Sequence, residues 1–404
     1  MLKTCSILFF ENHLTLAPTV LNLSMLIEKY VDALTIFAIE NKKIPLPEKI
    51  GTNGKIVYFP EGFNLYNFSN QMKFFTLSRI IEIFIFNLQI FGYLQQSENK
   101  DSTLKTNLNI AVDFHGLAVA LVLSYLYKQK FVFVSLELEE LRKFGYISKP
   151  FYEMAKLAYR KAEAVIVQDE DRFKALSEYC QYNHPKVFYL PNAPLNGFLD
   201  NPNGKNFFRE KFNLSGDKFP YIVLYAGMLN DDLYLKTLAE SFVSIDNGCA
   251  LVFHGADRRG IKEGDDYAQS LRKLNSKNLF LSLDLLPYEE LSKIYSSSTI
   301  GIAFYKYIND NFGKIAKASG KLAQYLKHGK PVLVNNIPSL SQLVEEYEIG
   351  IVINDPFDTQ EIKSAIDKIL SSYDFYSKNA KSCFESEFNF EKKVEPILSF
   401  INSL

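Results

Sequence analysis

Ser319, Gly320 and Lys321 stand in a row where a helical pattern begins, in ASGKLAQYLKHGKPVLV at 318–334. Two small residues and a cation at such a point have a definite chemistry. The first amides of a helix lie unpaired, the helix dipole is positive there, and the lysine adds a point charge. That combination suits an anion, above all a phosphate. Upstream, LPYEELSKIYSSSTIGIAFYK at 286–306 reads as a helix and then a buried strand, and Gly329 stops the helix before PVLV. The residues predict a phosphorylated ligand held at the mouth of a parallel sheet.

The elements that must position these groups alternate along the whole chain. In the first half, ILFF (7–10), ALTIFAIE (33–40), KIVYFP (55–60), LNIAVDF (108–114), FVFVSLELE (131–139), AEAVIVQD (162–169) and KVFYLPNAP (186–194) read as strands. Pro18 fits the first turn of a helix reaching about Tyr30. The segment 195–218 is rich in Asn, Gly and charge and reads as a boundary. A second series follows: YIVLYAG (221–227), CALVFHG (249–255), NLFLSLD (278–284), TIGIAFY (299–305), PVLVN (331–335) and IGIVIND (349–355), with helices between. Nearly all-apolar strands alternating with helices mean parallel sheets covered on both faces. The expected fold class is α/β with two Rossmann-like domains: 1–196, a linker region at 197–218, a second domain at 219–385, and a closing helix at 386–404.

Composition narrows the function. The 404 residues are too many for one ordinary core and enough for two. A net charge of −1 gives no global basic field, so nucleic acid is not an expected partner. Cys5, Cys180, Cys249 and Cys383 stand far apart, without a CxxC pair or a Cys/His cluster, so no metal site is expected and reduced thiols in the cytoplasm are. LKTCSILFF is short for a signal peptide and reads as a first strand. The most apolar stretch, 74–94, is interrupted by Arg79, Glu82, Asn87 and Gln89, so no transmembrane helix is expected. It reads as a buried amphipathic helix, with a membrane-surface helix as the alternative and, with it, peripheral contact at the inner face of a membrane.

Several pieces, in order, resemble the GT-B glycosyltransferases, in particular the large retaining class that includes many bacterial cell-surface polysaccharide enzymes. They are AEAVIVQDEDRFKAL, YLPNAP, YIVLYAGML, LVFHG, LPYEELSKIYSSSTIGIAFY, SGKLAQYLKHGKPVLV, IGIVIND and the closing FNFEKKVEPILSFINSL. From about 160 onward the resemblance covers the chain; upstream it is architectural. It implies sugar transfer from a nucleotide-diphosphate sugar, most often a UDP-sugar, to a glycan or lipid-linked glycan acceptor, with neither a bound cofactor nor a metal. It makes the first domain the acceptor domain and the second the nucleotide-sugar domain, with the closing helix crossing back. It gives Ser319, Gly320 and Lys321 the leaving diphosphate, with Lys314 and Lys317 as helpers, and counts Gly227, in the turn that opens the second domain, among the nucleotide-sugar contacts.

The chain also departs from that pattern. Gln324 stands where a ribose-binding glutamate is usual, and Ala316 where an earlier glutamate is. Gly227 is followed by Met-Leu-Asn-Asp-Asp instead of a basic residue, and ENHLTLAPTV replaces a glycine pair after the first strand. These gaps admit a non-catalytic scaffold or partner subunit as the alternative, and a sugar-nucleotide epimerase as a third reading.

The resemblance also places a histidine- or aspartate-bearing turn at Asp113-Phe114-His115. Catalytic contact with the donor sugar is one reading; Asp113 capping the next helix and His115 satisfying backbone is the other. Glu137 and His13 are candidate acceptor contacts, against a solvated helix start and a solvent-facing loop. His254 stands near the nucleotide or in the core, and Arg258 and Arg259 meet phosphate or form an exposed pair. His184 and His328 read as structural.

Overall fold

The computed structural model describes residues 2–11, 13–41, 47, 49–60, 72–98, 108–138, 145–196, 206–230, 233–245, 247–255, 266–284 and 286–404. They divide into two compact units, Met1–Pro191 with Lys392–Leu404, and Asn192–Glu391.

The first unit is built on an eight-stranded sheet. Its strands are β1 (Leu2–Phe9), β2 (Val31–Ile39), β3 (Lys49–Ile50), β4 (Gly54–Phe59), β5 (Leu108–Val112), β6 (Lys130–Val134), β7 (Val165–Val167) and β8 (Val187–Tyr189). Their order is β3-β4-β2-β1-β5-β6-β7-β8, parallel throughout except for the short β3 against β4, which the sequence pattern does not reveal. The chain runs outward from β1 through β2 to β4 and then returns to β5 on the other side of β1. The strand order therefore reverses between β1 and β5, where Ile7 pairs with Ile110. The helices Met72–Glu98, Asp113–Tyr127 and Gly145–Lys161 bury Phe86, Ile90, Phe114, Leu117 and Tyr159 in one core with Phe133 of β6. On Met72–Glu98, Ile83, Phe86, Ile90 and Leu94 are buried while Ile81, Phe84 and Leu88 are exposed. That helix carries two apolar faces and covers only one. Among the described residues no helix is long and apolar enough to cross a membrane. Residues 392–404 complete the unit, with the Phe400 ring 5.4 Å from that of Phe188.

The second unit carries β9 (Tyr221–Ala226), β10 (Cys249–His254), β11 (Leu279–Ser282), β12 (Ile300–Ala303), β13 (Val332–Asn335) and β14 (Gly350–Ile353). All are parallel, in the order β11-β10-β9-β12-β13-β14, so this sheet reverses between β9 and β12. The segment read as a linker contains the helix Phe207–Phe212, whose Phe208 is fully buried and lies 6.0 Å from the His254 ring. Its one buried face is masked in the sequence by Asn, Lys and Glu on either side.

Two strand ends also differ from expectation. β5 stops at Val112, because Asp113 takes a left-handed φ of 52° and opens the helix at once. Of 186–194, only Val187–Tyr189 is strand, since Pro191 and Pro194 cannot donate to a ladder. All four cysteines are free and buried, Cys5 and Cys180 in the first unit, Cys249 and Cys383 in the second. Burial pushes each thiol up to about 12.

Candidate functional site

Ligands of open parallel sheets sit beyond the carboxyl ends of the strands, where the order reverses. In the second unit that place gathers most of the residues singled out there from sequence. The helix Gly320–Lys327 begins with Ser319 as its N-cap, and the Ser319 hydroxyl accepts from the Leu322 amide at 3.2 Å. The amides of Gly320 and Lys321 have no partner within the helix and form its positive end. A Cβ on Gly320 would come within 3.2 Å of the Asn192 side chain, so only glycine sits there without displacing it. Asn192 ties down the approach to the helix. Its amide donates to the Lys317 carbonyl at 2.8 Å and its side chain to that of Ala318 at 3.1 Å.

The Lys321 side chain reaches over Gly227, just past β9. A Cβ on Gly227 would lie 3.1 Å from Lys321 Nζ, and one on Gly255, past β10, would lie 1.9 Å from the Gly227 carbonyl oxygen. Both glycines have φ of +147°, and the two strand exits approach each other as closely as backbones can. Lys321 Nζ donates to the Tyr225 hydroxyl at 2.9 Å and lies 4.0 Å from the centre of that ring and 4.9 Å from that of Tyr305. No carboxylate pairs with it among the described residues. Burial pulls its amine down from the ordinary lysine value to about 7. Lys314 and Lys317, offered by the sequence as helpers, are each engaged by a carboxylate, Asp310 at 3.5 Å and Glu387 at 2.5 Å. Gln324 is buried one turn further along the helix.

Residues the sequence reading missed hold this arrangement. Tyr305 follows β12, and its hydroxyl lies 2.6 Å from Ser319 Oγ. Its backbone is gripped by Asn335 at the end of β13, whose amide side chain accepts from the Tyr305 N–H and donates to the Tyr305 carbonyl, both at 2.8 Å. The Tyr225 hydroxyl donates to the Met228 carbonyl at 2.7 Å. Tyrosines inside apolar strand runs look like core; the signal for more is that a buried hydroxyl must find a partner. His254 is a buried core residue bonded to Ser282 Oγ at 2.9 Å, and burial lowers its imidazole to about 4, so it is neutral at pH 7. His328 caps the end of the lysine helix and lies 3.3 Å from Ser292 Oγ. Arg258, Arg259, Asp231 and Asp232 lie outside the described residues.

The first unit's reversal point is furnished differently. Glu11, just past β1, lies 4.0 Å from His13 Nδ1 and 3.8 Å from His115 Nδ1, so its carboxylate joins the two candidate histidines. The His115 ring stacks between Phe10, at 5.1 Å, and Phe151, at 5.9 Å. Asp113 is not a helix cap. Its Oδ1 accepts from the amides of Leu136 and Glu137, at 2.7 and 3.1 Å, and so pins the loop after β6. Gln168 donates to the Ser135 carbonyl at 2.9 Å and Arg172 to the Leu136 carbonyl at 2.8 Å, so three side chains hold one turn. Arg172 is fully buried. Burial lowers its guanidinium from the ordinary value, and the carboxylates of Glu137, Asp169 and Asp113 act the other way. Glu137 is exposed on the pinned loop. His184 is structural, with its ring nitrogens 2.9 Å from the carbonyls of Lys186 and Ala162.

Comparison with known proteins bears on the family of the second unit and on the fold. Residues 206–383 match the model of the glycosyl transferases group 1 family. Sucrose-phosphate synthase from Thermosynechococcus elongatus superposes with a TM-score of 0.68 at 16% identity, over 99% of each chain. HepE from Anabaena, in a complex with UDP-glucose, gives 0.67 at 12% identity over 99% of this chain and 100% of its own. A glycosyltransferase from Rickettsia africae gives 0.66 at 12%, over 99% and 98%. Identities this low speak for the fold, and no curated protein matches by sequence. With the family match on residues 206–383 and the fold match over the chain, the protein has the GT-B fold, and its second unit carries a glycosyl transferases group 1 domain.

Proposed function

We propose that the protein transfers a sugar from a nucleoside-diphosphate sugar, a UDP-sugar first among them, to a glycan or lipid-linked glycan, with retention of anomeric configuration. The observation that carries the donor reading is Lys321 lying over Gly227 at the strand reversal, beside the first amides of the helix Gly320–Lys327. As the glycosidic bond breaks, negative charge grows on the departing diphosphate. A fixed ammonium and aligned amides stabilise that charge without reorganising. Positive charge supplied by the protein in this way is what supports a metal-independent reaction. Gln324, buried on the same helix, is the candidate ribose contact, keeping hydrogen-bonding capacity without a charge.

His115, aligned by Glu11 and two phenyl rings, is the group proposed to touch the transferred sugar. Asp113 acts through the loop it pins, and its engagement by two amides disfavours it as a free general base, which supports retention. Glu137 on that loop and His13 are the proposed acceptor contacts. The exposed Ile81, Phe84 and Leu88 fit a lipid-linked acceptor and a protein that rests on a membrane surface. Four free thiols suit a cytoplasmic setting.

The test is a panel of nucleoside-diphosphate sugars, with release of free nucleoside diphosphate followed in solution and binding followed by calorimetry. Release of the diphosphate supports the proposal. Binding without turnover points to a scaffold, and sugar interconversion without release points to an epimerase. Absence of binding by any member of the panel overturns the donor site.

A further inference from the structure

We propose that Tyr225 and Tyr305 are positioning residues of the anion site, which hold the Lys321 ammonium over Gly227 before any ligand arrives. The inference rests on the donor reading above and adds what makes the lysine effective. Lysine is a flexible side chain that loses much rotamer freedom when fixed. Here the fixing is done in advance by neutral groups. The Tyr225 hydroxyl accepts from Nζ at 2.9 Å while donating to the Met228 carbonyl at 2.7 Å, so its orientation is set from the far side. The faces of Tyr225 and Tyr305 lie 4.0 and 4.9 Å from the ammonium, within reach of the ring quadrupole. Tyr305 is itself immobilised by the paired bonds from Asn335 and by the contact of its hydroxyl with Ser319.

A carboxylate in this role would neutralise the lysine and compete with the incoming anion. A phenol does neither. The titratable groups near Nζ include these two phenols, with Tyr325, Tyr295 and Tyr267 around them. Burial pushes Tyr225, Tyr305, Tyr325 and Tyr295 up, so they remain neutral over the working range. Lys321 is then the group whose charge changes near neutrality, and the tyrosines set how readily it does so.

The experiment uses UDP as probe and calorimetry as readout, on the full chain. Tyr225→Phe keeps the ring and removes the acceptor. It is expected to weaken UDP binding about tenfold at about pH 8 and less at about pH 6, since the ammonium loses a bond that favoured its charged form. In a Lys321→Met background the same substitution is expected to change affinity by less than about twofold. Tyr305→Leu, which removes the second ring face, serves as an independent variant, with an expected loss of about threefold that also vanishes without the lysine. Thermal unfolding checks that each variant is folded. Equal losses with and without Lys321, or losses independent of pH, overturn the positioning role alone. Wild-type-like UDP binding by Lys321→Met itself overturns both this inference and the donor reading.

Discussion

Where the first sheet reverses, between β1 and β5, a carboxylate stands between two imidazoles; where the second reverses, between β9 and β12, an ammonium stands between two phenols. The scaffolds are alike, each a parallel sheet whose chain leaves a central strand, runs to one edge and crosses to the other side. The means of support differ as well. In the first unit a buried arginine and an aspartate hold the loop after β6. In the second, an asparagine holds the turn after β12 with two neutral hydrogen bonds. The same topology thus delivers side chains to the same kind of location, and the residues placed there decide the charge that location carries.

That contrast can be broken or sharpened by substitution. Arg172→Ala is expected to have the largest effect, a loss of about 4 kcal/mol of stability in urea unfolding, because the Leu136 carbonyl loses its donor and the carboxylates of Glu137, Asp169 and Asp113 lose the buried positive charge near them. Asn335→Ala in the second unit should cost about half as much, since it leaves two backbone groups unpaired but no charge. Equal costs would erase the distinction between an ionic and a neutral support.

Lys321→Ala comes next, with UDP binding weaker by about 100-fold in calorimetry, the loss expected of a charge-assisted contact to phosphate. His115→Ala should lower turnover by about the same factor and leave the UDP dissociation constant within about twofold. A shift in UDP affinity with His115→Ala would show that the two reversal points do not divide the work.

The pH dependence is a finer test. The Lys321 amine lies at about 7 in the free protein, so donor binding above that pH draws in a proton, and UDP affinity falls as pH rises through 7. Calorimetry in two buffers of different ionisation heat measures the uptake directly. The linked stability has the opposite sign. Between about pH 7 and the ordinary lysine value the unfolded chain holds the extra proton, so this group makes the folded protein more stable as pH rises. Lys321→Met should flatten that slope. The smallest effect belongs to His254→Gln, which should leave UDP affinity within about twofold, because the imidazole is bonded to Ser282 inside the fold.

Much of this was legible in the amino-acid sequence. Apolar strand runs and glycine stops gave the alternation, and Ser319-Gly320-Lys321 announced a helix start fit for an anion. What could not be read was partnership. Nothing local in YIVLYAG marks Tyr225 as the residue that orients a lysine 96 positions later. Glu11 lies in a stretch noted only for lacking glycines, and its meaning appears once β1 and β5 are neighbours. For Asp113 the sequence offers a sugar contact or a helix cap, since aspartate before a helix is usually one; its left-handed backbone and its bonds across to the next strand's loop are tertiary facts.

The four sequestered thiols turn the protein into its own pair of chemical clocks. With Cys5 and Cys180 in one half and Cys249 and Cys383 in the other, alkylating reagents find nothing to react with until a half opens. Peptide mapping of the modified cysteines would then time the opening of each half separately, without a label or a mutation, and show which of the two lets go first when a nucleotide is present.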